Sequence, residues 1–254
     1  MAKNKTIILI TGGSSRLGTV MSTFLANKGY TIYATSRKTL TSERTNLIYL
    51  KMDVTSDREV ERAVAEIIKK EKRIDIVVNN AGVTLTGKTF SYSAEDFLHL
   101  LNIKLVGSFR VAKAVMSLPT PPRLIIQITS LNGFLAVPDF ALYCASKFGL
   151  EGLGQTLHYE LSPSTQFVNV APGALKAESA KKMPHKPARE KFPMLNWLLP
   201  LTTLEDVSKE VAYLFTKKTL PSRVLIGRDA RVIYFLQKVL PSSLFDTLIM
   251  RISR

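Results

Sequence analysis

IILITGGSSRLG, residues 7–18, carries an aliphatic run, a glycine-rich turn and the opening of an amphipathic segment. Ile7 to Ile10 are β-branched or leucine, the composition of a short buried strand. After the glycines, Leu17, Val20, Met21, Phe24 and Leu25 recur at helical spacing up to Gly29, which suits a helix C-terminus. The segment therefore reads strand, turn, helix. In such a turn the backbone N–H groups and the helix N-terminus converge and can hold a pyrophosphate. Glycines also serve plain tight bends, so it is the position directly after the first strand that points to a phosphate.

Working outward, the same alternation continues. Strands are expected at 31–36, 47–51, 74–79, 124–130, 166–171 and 222–226, and helices at 57–71, 94–116, 142–161 and 205–215, with Ser93 suited to an N-cap. Aliphatic strands alternating with helices imply a parallel sheet covered on both faces, with ligands at the carboxyl ends of its strands. The fold class expected is α/β, a doubly wound parallel sheet forming a single domain over residues 1–231, with a C-terminal helical extension over 232–254. Two stretches depart from the alternation. Residues 174–201, rich in Pro and Lys, follow a strand end and read as a flap over the site. In the tail, Val232, Phe235, Leu236, Val239 and Leu240, then Leu244, Phe245, Leu248, Ile249 and Ile252, keep helical spacing on either side of Pro241, which predicts two short amphipathic helices. Arg251, Arg254, Pro241 and Asp246 argue against a membrane span, leaving surface packing or peripheral membrane contact. Covering a substrate pocket or a dimer face is the alternative for that tail.

The chain has 254 residues and a 46% apolar fraction, enough to fill one core. Lys and Arg number 35 against 20 acidic residues, a net charge of +15. That balance favours polyanions, whether nucleotide phosphates, acidic carriers or membrane surfaces, without choosing among them. The single cysteine, Cys144, excludes an internal disulfide, and the N-terminal apolar run is too short for a signal-peptide core, so a cytoplasmic location is expected. His99, His158 and His185 lack metal-ligand spacing, and no metal is expected. Lys181, Lys182, Lys186, Arg189 and Lys191 have no aromatic interleaving, so no nucleic acid is expected.

The cofactor and the chemistry come from two further stretches. An NAD site places an acid at the end of the second strand to take the adenosine ribose. Here Ser36 closes that strand, ATSRK contains no acid, and Arg37 and Lys38 follow, a pair suited to a 2′-phosphate. The plainer alternative is a solvated loop. In ALYCASKFGL, residues 141–150, Tyr143 and Lys147 stand four apart and share a helix face. A phenol titrates at about 10, so acid–base work near neutrality needs a fixed cation nearby, which Lys147 can supply. Ser130, at the end of a strand, can hydrogen-bond a carbonyl oxygen while a cofactor gives or takes the hydride.

These motifs together resemble the short-chain dehydrogenase/reductase family: TGGSSRLG, Asp53 in MDVT, NNAG at 79–82, Ser130, YCASK, and APG at 171–173. The spacing of thirteen residues from Ser130 to Tyr143 and of four to Lys147 also matches. The resemblance covers nearly the whole chain. It implies an NAD(P)-dependent oxidoreductase on a Rossmann-type sheet, which the Ser36–Lys38 reading narrows to NADP(H). Residue by residue, Gly12 and Gly18, with Ser14, Arg16 and Leu17 between them, would line the pyrophosphate turn, and Asp53 with Val54 would meet the adenine. Asn79, Asn80, Ala81 and Gly82 would floor the adenosine, and Pro172 and Gly173 would approach the nicotinamide. Ser130, Tyr143 and Lys147 would be catalytic, the last two also touching cofactor. The family also implies a homo-oligomer, a dimer or tetramer. The apolar and basic flap and tail suggest a small lipophilic alcohol or carbonyl substrate, as in branches resembling hydroxysteroid and retinol dehydrogenases. The C-terminus lacks the glycine-rich ending of the carrier-bound acyl reductases.

Three positions depart from the pattern. Arg16 stands where the family has its second glycine, and Ala177 where a Thr usually holds the carboxamide. Lys104 stands where the family has an Asn, three residues before Gly107. Phe97, Leu101 and Lys104 share a helix stripe, so Lys104 is expected to be buried, the alternative being that it snorkels to the surface. Asn102 should face elsewhere. These departures motivate the alternative reading, an NADP-binding sensor or scaffold with little turnover. Cys144 reads as a packed small residue, and Trp197 as a lid, a pocket wall or plain packing.

Overall fold

The computed structural model describes residues 6–176 and 200–253. Seven strands form one sheet: β1 (Ile7–Ile10), β2 (Thr31–Ser36), β3 (Leu47–Lys51), β4 (Ile76–Asn79), β5 (Leu124–Ile128), β6 (Gln166–Pro172) and β7 (Arg223–Ile226). Their order is β3-β2-β1-β4-β5-β6-β7, and every pairing is parallel. All residues of β1, β2, β4 and β5 are buried, as strands covered on both faces require. The helices are α1 (Arg16–Asn27), α2 (Asp57–Glu71), α3 (Ala94–Leu101), α4 (Gly107–Met116), α5 (Ala141–Leu161), α6 (Leu204–Leu214), α7 (Arg228–Val239) and α8 (Ser242–Ser253). One face of the sheet is packed by Met21 and Leu25 of α1 with Val207 and Val211 of α6. The other is packed by Val60, Val64 and Ile67 of α2 with Val111 and Val115 of α4. The strand order reverses between β1 and β4, which opens a crevice at their carboxyl ends.

Three of the boundaries that differ from the sequence reading have a clear local reason. The fourth strand begins at Ile76, not at residue 74, because Asp75 turns its carboxylate back to accept the Ile7 N–H at 2.7 Å. The helix expected over 94–116 is interrupted by a π turn at Asn102–Val106, where the Gly107 N–H reaches the Asn102 carbonyl. The first tail helix starts at Arg228, ahead of Val232, because Gly227 at φ +101° turns the chain sharply after β7. Of the expected flap, 177–199 lies outside the described residues, together with Ala177, His185, Trp197 and the Lys181–Lys191 cations. Its two ends meet: Lys176 N–H donates to the Thr202 carbonyl at 2.8 Å and Thr202 N–H to the Ala174 carbonyl at 3.0 Å.

A buried polar network locks α5 onto β6 and β7. Glu151, almost fully buried, accepts from Arg223 Nε at 2.7 Å and from Asn169 Nδ2 at 3.1 Å, and Arg223 also donates to the Tyr234 hydroxyl at 3.2 Å. Removing one partner of such a pair leaves an uncompensated charge and costs about 3–5 kcal/mol. The tail packs on its own chain: Phe245 and Ile249 of α8 close over Leu131, Phe134 and Leu135, the segment just beyond β5. Val232, Phe235 and Val239 of α7 remain exposed. Among the described residues no helix is long and apolar enough to cross a membrane.

Candidate active site

The turn between β1 and α1 is built so tightly that none of Gly12, Gly13 and Gly18 has room for a Cβ. Gly12 sits at φ +66°, and a Cβ there would lie 2.7 Å from the Ala81 Cα. On Gly18 it would lie 2.2 Å from the Gly12 carbonyl oxygen. Thr11 Oγ1 accepts from the Asn80 and Ala81 N–H groups, both at 3.0 Å, and Asn80 Nδ2 donates to the Thr11 and Gly12 carbonyls at 3.0 and 3.1 Å. The turn is thereby clamped to the end of β4. Ser15 caps α1 by accepting from the Gly18 N–H at 3.1 Å, and the first turn of α1 carries no acid. An anion placed at this helix end meets N–H dipoles and no carboxylate of that turn.

Beside the turn lies a cleft of about 230 Å³. Of the residues expected from sequence, Gly12, Ser14, Arg37, Asp53, Val54, Ala81 and Gly82 line it. Arg16, Leu17, Gly18, Lys38 and Asn80 do not form its wall: Gly18 and Asn80 hold the turn, while Arg16 and Lys38 are exposed. Asn79, expected in the floor, is buried and donates to Ser108 Oγ at 3.2 Å. Burial pushes the Asp53 carboxyl up, but the Thr55 N–H and hydroxyl donate to it at 2.9 and 2.8 Å, and Arg37 and His99 add positive potential. The sum holds it below the ordinary carboxylate range. Arg37 therefore stands close enough to the cleft to be felt at Asp53. His99, an exposed residue of α3, lines the same cleft, and no motif in the sequence marks it.

Ser130, Tyr143 and Lys147 converge at the carboxyl end of β5. Ser130 caps a short 3₁₀ turn, Leu131–Gly133, by accepting from the Asn132 N–H at 3.2 Å. The chain then returns through α5, whose first turns present Tyr143 and Lys147 on one face. Lys147 is buried, donates to the Ile128 carbonyl at 2.8 Å, and lies 5.8 Å from the Tyr143 ring centroid. Burial pushes the Tyr143 phenol above its ordinary value, and a hydrogen bond with Ser130 works the other way. Burial likewise pushes the Lys147 amine well down, the charge of Lys104 drives it further, and Glu151 opposes both.

Lys104 is buried, as its stripe predicts, and does not snorkel: its Nζ lies 4.6 Å from the Tyr143 ring centroid. Asn102 faces the other way and accepts from Arg110 at 2.8 Å. Pro172 and Gly173 close β6 outside the cleft wall. A Cβ on Gly173 would lie 2.0 Å from Asp229 Oδ1, and Asp229 Oδ2 accepts the Ala174 N–H at 2.7 Å. Cys144 packs beneath the Leu135 carbonyl, at 3.8 Å.

The family profile described as short chain dehydrogenase matches residues 6–188. The chain belongs to the short-chain dehydrogenase family. The chain is 36% identical over 180 residues to an uncharacterized oxidoreductase of Schizosaccharomyces pombe, covering 68% of this chain and 62% of that one. It is 36% identical over 160 residues to a 3-ketodihydrosphingosine reductase of Bacteroides thetaiotaomicron, covering 62% of this chain and 59% of that one. It thus spans about three fifths of the length of these two relatives. Among solved structures, ElxO with NADP bound superposes with a TM-score of 0.75 at 25% identity, covering 87% of this chain and 96% of the other.

Proposed function

We propose that this short-chain dehydrogenase is an NADP(H)-dependent oxidoreductase that interconverts an alcohol and a carbonyl on a small lipophilic substrate. The observation that carries the reading is the convergence of Ser130, Tyr143 and Lys147 at the end of β5, beside a glycine turn that only a backbone without Cβ atoms can make. The residues fit the cofactor. The turn offers N–H groups to a pyrophosphate, and Ser36 and Arg37 in the cleft wall with Lys38 exposed beside them, two cations and no acid in that stretch, support a 2′-phosphate. When bound, NADP(H) supplies or takes the hydride. In the reductive direction Ser130 holds the carbonyl oxygen, Tyr143 gives its proton to that oxygen, and Lys147 supplies positive charge against the phenolate left behind. The oxidative direction runs the same proton back to Tyr143.

The NADP-bound ElxO supports the choice of cofactor. A lipophilic substrate is supported by the relative named for 3-ketodihydrosphingosine and by the apolar residues around Phe134, Leu135 and Phe245 close to Ser130. Exposed Val106 at the end of the π turn and Phe109 on α4, with Phe148 and Tyr159 on α5, support self-association as a dimer or tetramer. The exposed Val232, Phe235 and Val239 beside Arg228, Arg231 and Lys238 support peripheral contact of α7 with an anionic membrane.

Purified chain should oxidise NADPH with at least one member of a panel of apolar ketones and aldehydes. Tyr143→Phe should abolish that turnover while binding NADPH as the parent does. A parent that binds NADPH tightly and turns over nothing in either direction would replace the enzyme with the sensor or scaffold reading that Lys104, packed against Tyr143, first suggests.

A further inference from the structure

The centre holds a second lysine that the Ser130–Tyr143–Lys147 chemistry does not use. The π turn at Asn102–Val106 fits one more residue into its turn than an α-helix does, and it buries Ile103 and Lys104 together. Lys104 is 5% exposed, and its amine stands 4.6 Å from the centroid of the Tyr143 ring. It is also so close to the backbone of Gly82 that a Cβ there would lie 2.9 Å from Nζ, so the β4 end and α5 grip it from two sides. A side chain held this way cannot swing out to water without leaving both the Tyr143 ring and the Gly82 backbone.

We propose that Lys104 is a positioning residue of the active centre: its amine, laid on the face of the Tyr143 ring, supplies positive charge that lets the phenol release its proton, a role it divides with Lys147. This rests on the reading of Tyr143 as the acid–base group. The charged and titratable groups around it are few. From α5 come Tyr143, Lys147, Cys144 and, a turn further on, Glu151, which is engaged by Arg223 and Asn169. From α3 comes His99, which faces Asp53. The turn after β4 brings Gly82 and no charge. Among the described residues no carboxylate compensates it, and burial pushes Lys104 down to about 8. Both lysines charged at once is costly, which is why Lys104 depresses Lys147. One proton leaving the Tyr143–Lys104 pair can come from either group, so the two titrate as a couple. At this separation the ammonium should lower the phenol's first titration step by about one pH unit or more.

The test reads the tyrosine directly and needs no substrate. The full chain is labelled with 13Cζ-tyrosine, the Tyr143 resonance is assigned by its loss in Tyr143→Phe, and the signal is followed across the alkaline range. The parent should show a first step for Tyr143 close to where Lys104 titrates. Lys104→Met should leave a single step displaced upward by about one unit or more. Should Lys104→Met not fold, Lys104→Gln also removes the charge, keeps a polar end, and carries the same expectation. A Tyr143 titration unchanged in the folded neutral variant overturns the proposal. Because the signal is independent of turnover, a chain that shows the displacement yet turns over nothing would refute the enzyme reading and leave this one standing.

Discussion

Arg37→Ala should weaken NADPH binding and leave NADH binding alone. Arg37 lines the cleft and its charge reaches Asp53, so it stands where the adenosine end of the cofactor would lie. Ser36, just before it, is 4% exposed and accepts the Lys38 N–H at 3.0 Å, which fixes the start of the loop and keeps both cations at the rim. A hydrogen bond to a charged group contributes about 1.5–3 kcal/mol. Since Arg37 is exposed and its charge screened, the lower end applies, which is about tenfold in the dissociation constant. The assay is a fluorescence titration of parent and variant with NADPH and NADH in parallel, repeated at two salt concentrations. The loss should be confined to NADPH and shrink as salt rises. Equal losses for both cofactors would mean that Arg37 shapes the cleft without reading the phosphate, and no loss for either would remove it from the site.

Gly18→Ala should abolish binding of both cofactors, because its Cβ would meet the Gly12 carbonyl at 2.2 Å and the clamp by Asn80 forbids the turn to open; a parent-like affinity in a folded variant would refute this. Asp53 is held below the ordinary carboxylate range, so its contribution to stability is present above the unfolded value and lost as pH falls through the folded one. Thr55→Val removes the hydroxyl that donates at 2.8 Å and should flatten the acid limb of a melting-temperature profile as pH falls below the unfolded carboxylate value of about 4, and an unaltered limb would count against it.

Much of this was legible because the signals are local. The strand–turn–helix at residues 7–18 is written in aliphatic periodicity and glycines, and the same alternation places six further strands. The Tyr143–Lys147 spacing is a property of one helix, and the burial of Lys104 follows from its stripe. What was illegible depends on contacts distant in sequence. The π turn leaves no compositional mark, since Asn102 to Val106 suit an α-helix equally well. The place of His99 on the cleft wall depends on how α3 crosses the sheet, and the demand for Gly173 comes from Asp229, a residue more than fifty positions away. How the apolar tail divides was equally illegible: Phe245 of α8 packs against Leu131 and Phe134, while Val232, Phe235 and Val239 of α7 stay exposed.

The pairing of Leu175 with Thr202 makes the intervening segment an exchangeable cassette. The chain departs from and returns to one point on the rim, so the closure cost of what lies between grows only logarithmically with its length, about 0.6 kcal/mol per doubling. A segment of different length or polarity could be spliced in there while β6, Asp229 and α6 keep their places. Ser130, at the end of β5, and Tyr143 and Lys147, on α5, are held by elements other than the two strands of chain that meet at that joint.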